Sequence, residues 1–228
     1  MRLLDLFSCA GGAAIGYARA GFEVVGVDID PQPRFPFEHH VGDALEFVAL
    51  HGHTFDAVHA SPPCQSYSAP TRGTNAARNA KAGREHPDLI EATRTALVAT
   101  GKPFVIENVP GAPLRRDLVL CGEMFGLGVL QHRVFELGGW TVPQPSHPKH
   151  RGRVRGWRHG TWHDGPYVAA YGKGGGKATP AEMQAAKGIT WTSVHHELTE
   201  AIPPAYTEWI GERLAEQVRP GQLVLPLT

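Results

Sequence analysis

Cys64 follows two prolines in Ser61-Pro62-Pro63-Cys64-Gln65. Proline fixes φ, so the pair holds the next side chain in one direction. A cysteine presented like this can act as a nucleophile through its thiolate. Glu107, in Glu107-Asn108-Val109, follows the apolar run Phe104-Val105-Ile106. Desolvation there favours the protonated acid near neutral pH. A third feature is the small-residue loop Ser8-Cys9-Ala10-Gly11-Gly12. Its backbone N–H groups lie open to a close-fitting cofactor, although the spacing is not that of GxGxxG. Asp28 comes 17 residues after Gly11 and can accept hydrogen bonds from two ribose hydroxyls.

The elements around these residues place them on one rim. Arg2–Phe7 reads as a buried strand, Ala13–Ala20 as a helix stopped by Gly21, and Glu23–Ile29 as a second strand. Asp43–Leu50 reads as a short helix with an N-cap residue, and Phe55–Ala60 as a strand ended by the prolines. Pro103–Asn108 and Arg133–Leu137 read as further strands. Alternation of this kind predicts an α/β fold whose mostly parallel sheet carries helices on both faces. Such sheets bind ligands beyond the carboxyl ends of their strands, where Cys64, Glu107 and Asp28 all fall. Residues 65–86 are polar, with Arg72, Arg78, Lys81 and Arg84, and read as a mobile loop. A helix is expected after it, with Pro87 at its first position and Gly101 past its end. Thr179-Pro180-Ala181-Glu182 is a capping box for a helix closed by Gly188, and a last helix spans Pro204–Gln217.

Composition narrows the function classes. The 228 residues carry 22 basic and 22 acidic side chains, which argues against a generic polycation. The 42% hydrophobic content excludes intrinsic disorder. Gly and Pro together make about a fifth of the chain, without a three-residue period, so long functional loops are expected. Three cysteines (Cys9, Cys64, Cys121) form no CxxC pair, and no metal is expected. No apolar run approaches a membrane span, so a cytoplasmic protein is expected. Between Ser146 and His163 the basic residues Lys149, Arg151, Arg153, Arg155 and Arg158 stand without an acid, among Trp157 and Trp162. This stretch suits phosphates, with indoles available for stacking. The glycine run 172–177 fits no phosphate-loop pattern. His195-His196-Glu197 lacks the downstream PCxxC that a zinc deaminase needs.

Taken in order, these residues resemble the DNA (cytosine-5) methyltransferases, in particular compact phage-type members. Asp5-Leu6-Phe7-Ser8-Cys9-Ala10-Gly11-Gly12 resembles the first cofactor motif, with Cys9 where glycine is common. Val27-Asp28-Ile29-Asp30 resembles the segment whose acid holds the ribose and whose next side chain packs on adenine. Gly42-Asp43 resembles the motif whose aspartate meets the adenine amino group. Pro63-Cys64-Gln65 matches the nucleophile motif, Glu107-Asn108-Val109 the ENV motif, and Ala201-Ile202-Pro203-Pro204 the last motif. Gln131–Phe135 resembles the QxRxR region. With Gln131 as its glutamine, Arg133 is the first arginine and Phe135 replaces the second. Aligned on the R-V/I-F ending, Arg133 is the second, base-contacting arginine. The latter alignment keeps Val134 and Phe135 in place and is preferred. Thr199-Glu200 stands where the last motif has Gly-Asn.

The resemblance implies a Rossmann-like S-adenosylmethionine-dependent methyltransferase fold. The catalytic domain would comprise 1–137 and 198–228, with 138–197 as a short basic target-recognition region. Cys64, Gln65, Glu107 and Arg133 would be catalytic. Asp5, Phe7, Gly11, Gly12, Asp28, Ile29, Asp43 and Pro63 would bind S-adenosylmethionine. Ser68, Arg72, Arg78, Lys149, Arg151, Arg153, Arg155 and Arg158 would meet duplex DNA. The expected protein is monomeric and works in a bacterial or phage-infected cell. Three other readings remain: a tRNA cytosine-5 methyltransferase, an amino methyltransferase acting on cytosine N4 or adenine N6, and an inactive nucleic-acid-binding module.

Overall fold

The computed structural model describes residues 1–63, 88–170 and 178–219, without the side chain of Arg158. Its framework is a seven-stranded sheet. The strands in chain order are β1 Arg2–Leu6, β2 Glu23–Asp28, β3 Glu38–Val41, β4 Ala57–Ala60, β5 Phe104–Asn108, β6 Leu118–Leu120 and β7 Arg133–Gly138. Their order across the sheet is β3-β2-β1-β4-β5-β7-β6. From β3 to β5 every neighbouring pair is parallel, and β7 runs antiparallel to both β5 and β6. The sheet is thus mostly parallel, as the βαβ rhythm predicts, with an antiparallel shoulder at one side.

The β1 burial pattern shows why the sheet is two-sided. Leu3 packs in one core cluster and Leu4 and Leu6 in the other, as strand alternation requires. Helices α1 (Gly12–Arg19) and α6 (Pro204–Val218) cover the Leu3 face. Helices α2 (Ala44–His51) and α3 (Ile90–Ala99) cover the other. Burying long runs such as Val24–Val27 on both faces is what a parallel sheet demands of its sequence. Gly16 lets α1 and α6 touch: a Cβ there would lie 2.1 Å from Thr207 Oγ1 and 2.3 Å from the Pro204 carbonyl oxygen.

A third, smaller core holds the later part of the chain. Helix α4 (Pro180–Lys187) has the expected capping box and ends at Gly188. It packs through Met183 and Ala186 with Val129, Leu198 and Ala201, beside the short helix α5 (His195–Glu200). Strands β8 (Gly156–Arg158) and β9 (Thr161–His163) form a separate hairpin. Helix α3 begins at Ile90, later than expected, and Pro87 lies outside the described residues. Among the described residues, no helix is long and apolar enough to cross a membrane.

Candidate active site

The cradle forms where β1 ends. Phe7 and Cys9 take positive φ (58° and 44°), and Gly11 follows at φ 88°. Glycine suits that last turn, since a Cβ would also meet Pro36 Cδ at 2.9 Å. Gly12 then opens α1. Asp28, at the end of β2, is nearly buried and braces the loop. Its Oδ2 accepts from the Cys9 amide at 2.9 Å, and its Oδ1 from the Asp30 amide at 3.2 Å. Next to it Ile29 is 66% exposed, an apolar side chain left open at a strand end. Asp43 caps α2, its Oδ1 accepting from the Leu45 and Glu46 amides.

Two features indicate that a polar ligand belongs here. Among the described residues, neither carboxyl oxygen of Asp5 nor the Ser8 hydroxyl, all buried, has a well-formed hydrogen bond. Burial, reinforced by the charge of nearby Asp28, pushes the Asp5 carboxyl up. A buried carboxyl with at most a weak contact to the Ala14 amide is costly, and a ligand bringing donors reduces that cost. Asp5 and Ser8 therefore fit a ligand group that brings hydrogen-bond donors, beside the open apolar side chain of Ile29. Residues 191–197 pack against the cradle. Trp191 Nε1 donates to the Ala10 carbonyl at 2.6 Å, and Arg34 Nε donates to Glu197 at 2.8 Å.

The second half lies on β4, β5 and β7. Asn108 Nδ2 donates to the Pro62 carbonyl at 2.8 Å, while its Oδ1 accepts from the Val109 amide. This clamps the proline turn onto the end of β5, beside Glu107. Pro63 is the last described residue before Cys64. Cys64, Gln65, Ser68, Arg72 and Arg78 lie outside the described residues, and so does the 65–86 loop. Glu107 is buried, and Arg133 Nε stands 2.9 Å from its Oε1. Among the described residues that oxygen receives no well-directed hydrogen bond, so its contact with Arg133 is mainly Coulombic. Burial raises the Glu107 pKa, with Arg133 and then the Ser61 hydroxyl opposing it. The acid thus holds its proton more readily than an exposed glutamate.

Two supporting groups carry no sequence signal of their own. His59, fully buried on β4, links Tyr17 Oη (3.0 Å to Nδ1) to Ser61 Oγ (2.9 Å to Nε2). This polar chain runs from α1 towards Glu107. Lys187 is buried, and its Nζ donates to the carbonyls of Leu198 at 2.5 Å and Ala201 at 2.8 Å. Burial, with Arg133 nearby, lowers its pKa well below that of a free lysine. Gln131 Nε2 donates to the same Ala201 carbonyl at 3.1 Å, which fixes the strand leading to Arg133.

The basic stretch is only partly open. Arg151 lies 3.0 Å from Glu123, donates to the Leu127 carbonyl and packs over the Tyr167 ring. Arg155 pairs with Glu182. Arg153 Nη1 meets His163 Nδ1 at 3.0 Å, and Lys149 has no ion pair among the described residues. Arg158 lies on β8, and nothing is described of its side chain. Trp157 and Trp162 face each other across the hairpin, 60% and 47% exposed, with ring centroids 5.8 Å apart.

The family profile of the C-5 cytosine-specific DNA methylases matches residues 1–117. The chain belongs to this family. It is also 31% identical over 164 residues to the Type II methyltransferase M.XorII of Xanthomonas oryzae. That match takes in 62% of this chain but only 37% of the relative, so the chain spans little more than a third of the relative's length. In fold, it is similar to the S. pombe Dnmt2 methyltransferase (13% identity, TM-score 0.57) and to the Entamoeba histolytica methyltransferase EhMeth (13% identity, TM-score 0.59). Each likeness covers 96% of this chain and 99% of the other.

Proposed function

We propose that this protein methylates C5 of cytosine in duplex DNA, using S-adenosylmethionine. The observation that carries the reading is the pairing of Glu107 with Arg133, 2.9 Å apart, next to the turn that Asn108 clamps ahead of Cys64. When bound, S-adenosylmethionine supplies an electrophilic methyl group. Asp5, Phe7, Gly11, Gly12, Asp28, Ile29, Asp43 and Pro63 would hold it.

Cytosine C5 is a weak nucleophile until a thiolate adds across the ring. The Cys64 sulfur forms a bond to C6, and the displaced π electrons are accommodated as Glu107 places its proton at N3. Arg133 holds O2. The ring is then an enamine with electron density at C5, which takes the methyl. Loss of the C5 proton to water restores the C5–C6 double bond and expels the Cys64 thiolate, and N3 returns its proton to Glu107. Acid assistance of this sort is worth ~10²–10⁴ in rate. Inside a duplex the base is stacked, so it must flip out at a cost of a few kcal/mol. The basic residues of the 65–86 loop and of 149–158 would hold the flanking phosphates, and the exposed indole pair offers a stacking surface.

The test is Cys64→Ser. Methyl transfer to duplex DNA should be lost while S-adenosylmethionine still binds, and a 5-fluorocytosine duplex should form a covalent adduct with the unmodified protein alone. Mass spectrometry of digested nucleosides reads the position of the methyl group, and tRNA is assayed in parallel. Full activity of the variant, methylation on an exocyclic nitrogen, or transfer to tRNA alone would overturn the proposal.

A further inference from the structure

The antiparallel shoulder gathers four metal-binding side chains that the methyl-transfer reading leaves unused. Cys121 follows the last residue of β6, and His132 precedes the first residue of β7. Since Leu120 pairs with Arg133, the next step of the ladder brings Cys121 and His132 side by side. His147 and His150, in the spacing HxxH, arrive from the start of the basic stretch. One ligand atom from each of the four lies within 4.8 Å of all the others.

We propose that Cys121, His132, His147 and His150 form a structural zinc site. The donor set, one thiolate and three imidazoles, is what borderline-soft, four-coordinate Zn²⁺ selects. Zn–S and Zn–N lengths of ~2.3 and ~2.05 Å put the S···N edge of a tetrahedron at about 3.6 Å. Cys121 Sγ and His150 Nε2 are 3.5 Å apart. The imidazoles of His132 and His147 lie parallel with centroids 5.5 Å apart, and His150 stands edge-on to both. His147 Nδ1 lies 2.7 Å from the Pro148 carbonyl oxygen. Donation there leaves Nε2 as that ring's lone-pair nitrogen, an outer bond typical of metal-binding histidines. Cys121 Sγ now contacts the Leu130 carbonyl at 3.0 Å. On metal binding the S–H bond breaks, its proton passes to solvent, and an S–Zn bond replaces that contact.

Four protein ligands close the coordination shell, so this ion would build structure without reacting with substrate. It would tie the open end of the β6–β7 ladder to the 147–150 segment, one residue from Arg133. The arginine opposite Glu107 and the start of the basic stretch would then be held by one clasp.

The full-length chain, expressed with zinc, should contain one equivalent per molecule by elemental analysis. After chelation, titration with Co²⁺ should produce a thiolate-to-cobalt charge-transfer band and the visible bands of a tetrahedral ion. Cys121→Ser should abolish the charge-transfer band, whereas Cys9→Ser and Cys64→Ser should keep it. Exposed His147→Gln should weaken zinc binding beyond the ~10–100-fold cost of losing an outer-shell partner, and should remove zinc's effect on the melting temperature. Failure of the unmodified chain to take up either metal, or undiminished binding in His147→Gln, would overturn the site. Neither result depends on methyl transfer.

Discussion

The cradle, at β1 and β2, and the antiparallel shoulder, at β7 and β6, lie on either side of β4 and β5 in one sheet and are assembled differently. Around β1 and β2, the cradle side chains come from short windows at or just past the strand ends: Asp28 braces the Cys9 amide, and Gly11 turns the chain into α1. Around β6 and β7, residues far apart in sequence meet. Arg133 reaches Glu107, Arg94 on α3 reaches Glu136, and Cys121 lies beside His150. A turn can specify the first arrangement by itself. The second depends on register and on charges desolvated together.

The largest expected effect breaks the shoulder alone. Glu136 is 1% exposed and accepts from Arg94 Nε at 2.7 Å and Nη2 at 2.9 Å. Among the described residues, Arg94→Leu leaves the buried Glu136 carboxylate only the Arg115 amide at 3.0 Å and the Arg115 guanidinium at 3.8 Å, and should cost up to ~3–5 kcal/mol by urea denaturation, while S-adenosylmethionine affinity stays near the original. Gly16→Ala should act on the cradle side instead. Forcing a methyl between α1 and α6 should cost ~1–3 kcal/mol and weaken cofactor binding. Equal effects of both changes on cofactor affinity would erase the distinction.

A third test concerns His59, which sits between the two halves. Burial depresses its pKa to about 3, below the ~6.5 of an unfolded histidine. Its contribution is therefore complete above pH ~6.5 and declines as pH falls from there towards 3, at up to ~1.4 kcal/mol per pH unit. Urea midpoints at pH 7 and 5 should differ less in His59→Gln than in the unmodified protein. The difference between the two proteins isolates this imidazole from the buried acids Asp5 and Glu107. The smallest effect separates the open cations of the basic stretch from the paired ones. Replacing Lys149 and Arg153 by Gln should flatten the salt slope of DNA binding by ~0.9 per lost phosphate contact. Changing Arg151, already held by Glu123, should lower the melting temperature more than the slope.

Legibility in the sequence follows the same division. Strands β1, β2, β4 and β5, the capping box at Thr179 and the last helix are each declared by local apolar runs or caps. The helix expected over Pro204–Gln217 runs to Val218. Strand β3 escaped because Glu-His-His-Val is polar and largely exposed, and β6 because three residues carry no period. The direction of β7 cannot be read from Arg-Val-Phe-Glu-Leu, since alternation is the same in either sense. Lys187 escaped because a lysine marks solvent unless its carbonyl partners are known, and those are 11 and 14 residues away. The cysteine–histidine cluster escaped because only its HxxH pair is local; the other two ligands meet through strand pairing.

The bond from Trp191 to the Ala10 carbonyl spans 181 positions. During translation at ~5–20 residues per second, the turn that follows β1 leaves the ribosome some 9–36 s before the indole that caps it. Until then the Ala10 carbonyl lacks that donor. The contact that ties the 191 segment to the first turn is thus among the last a growing chain can make.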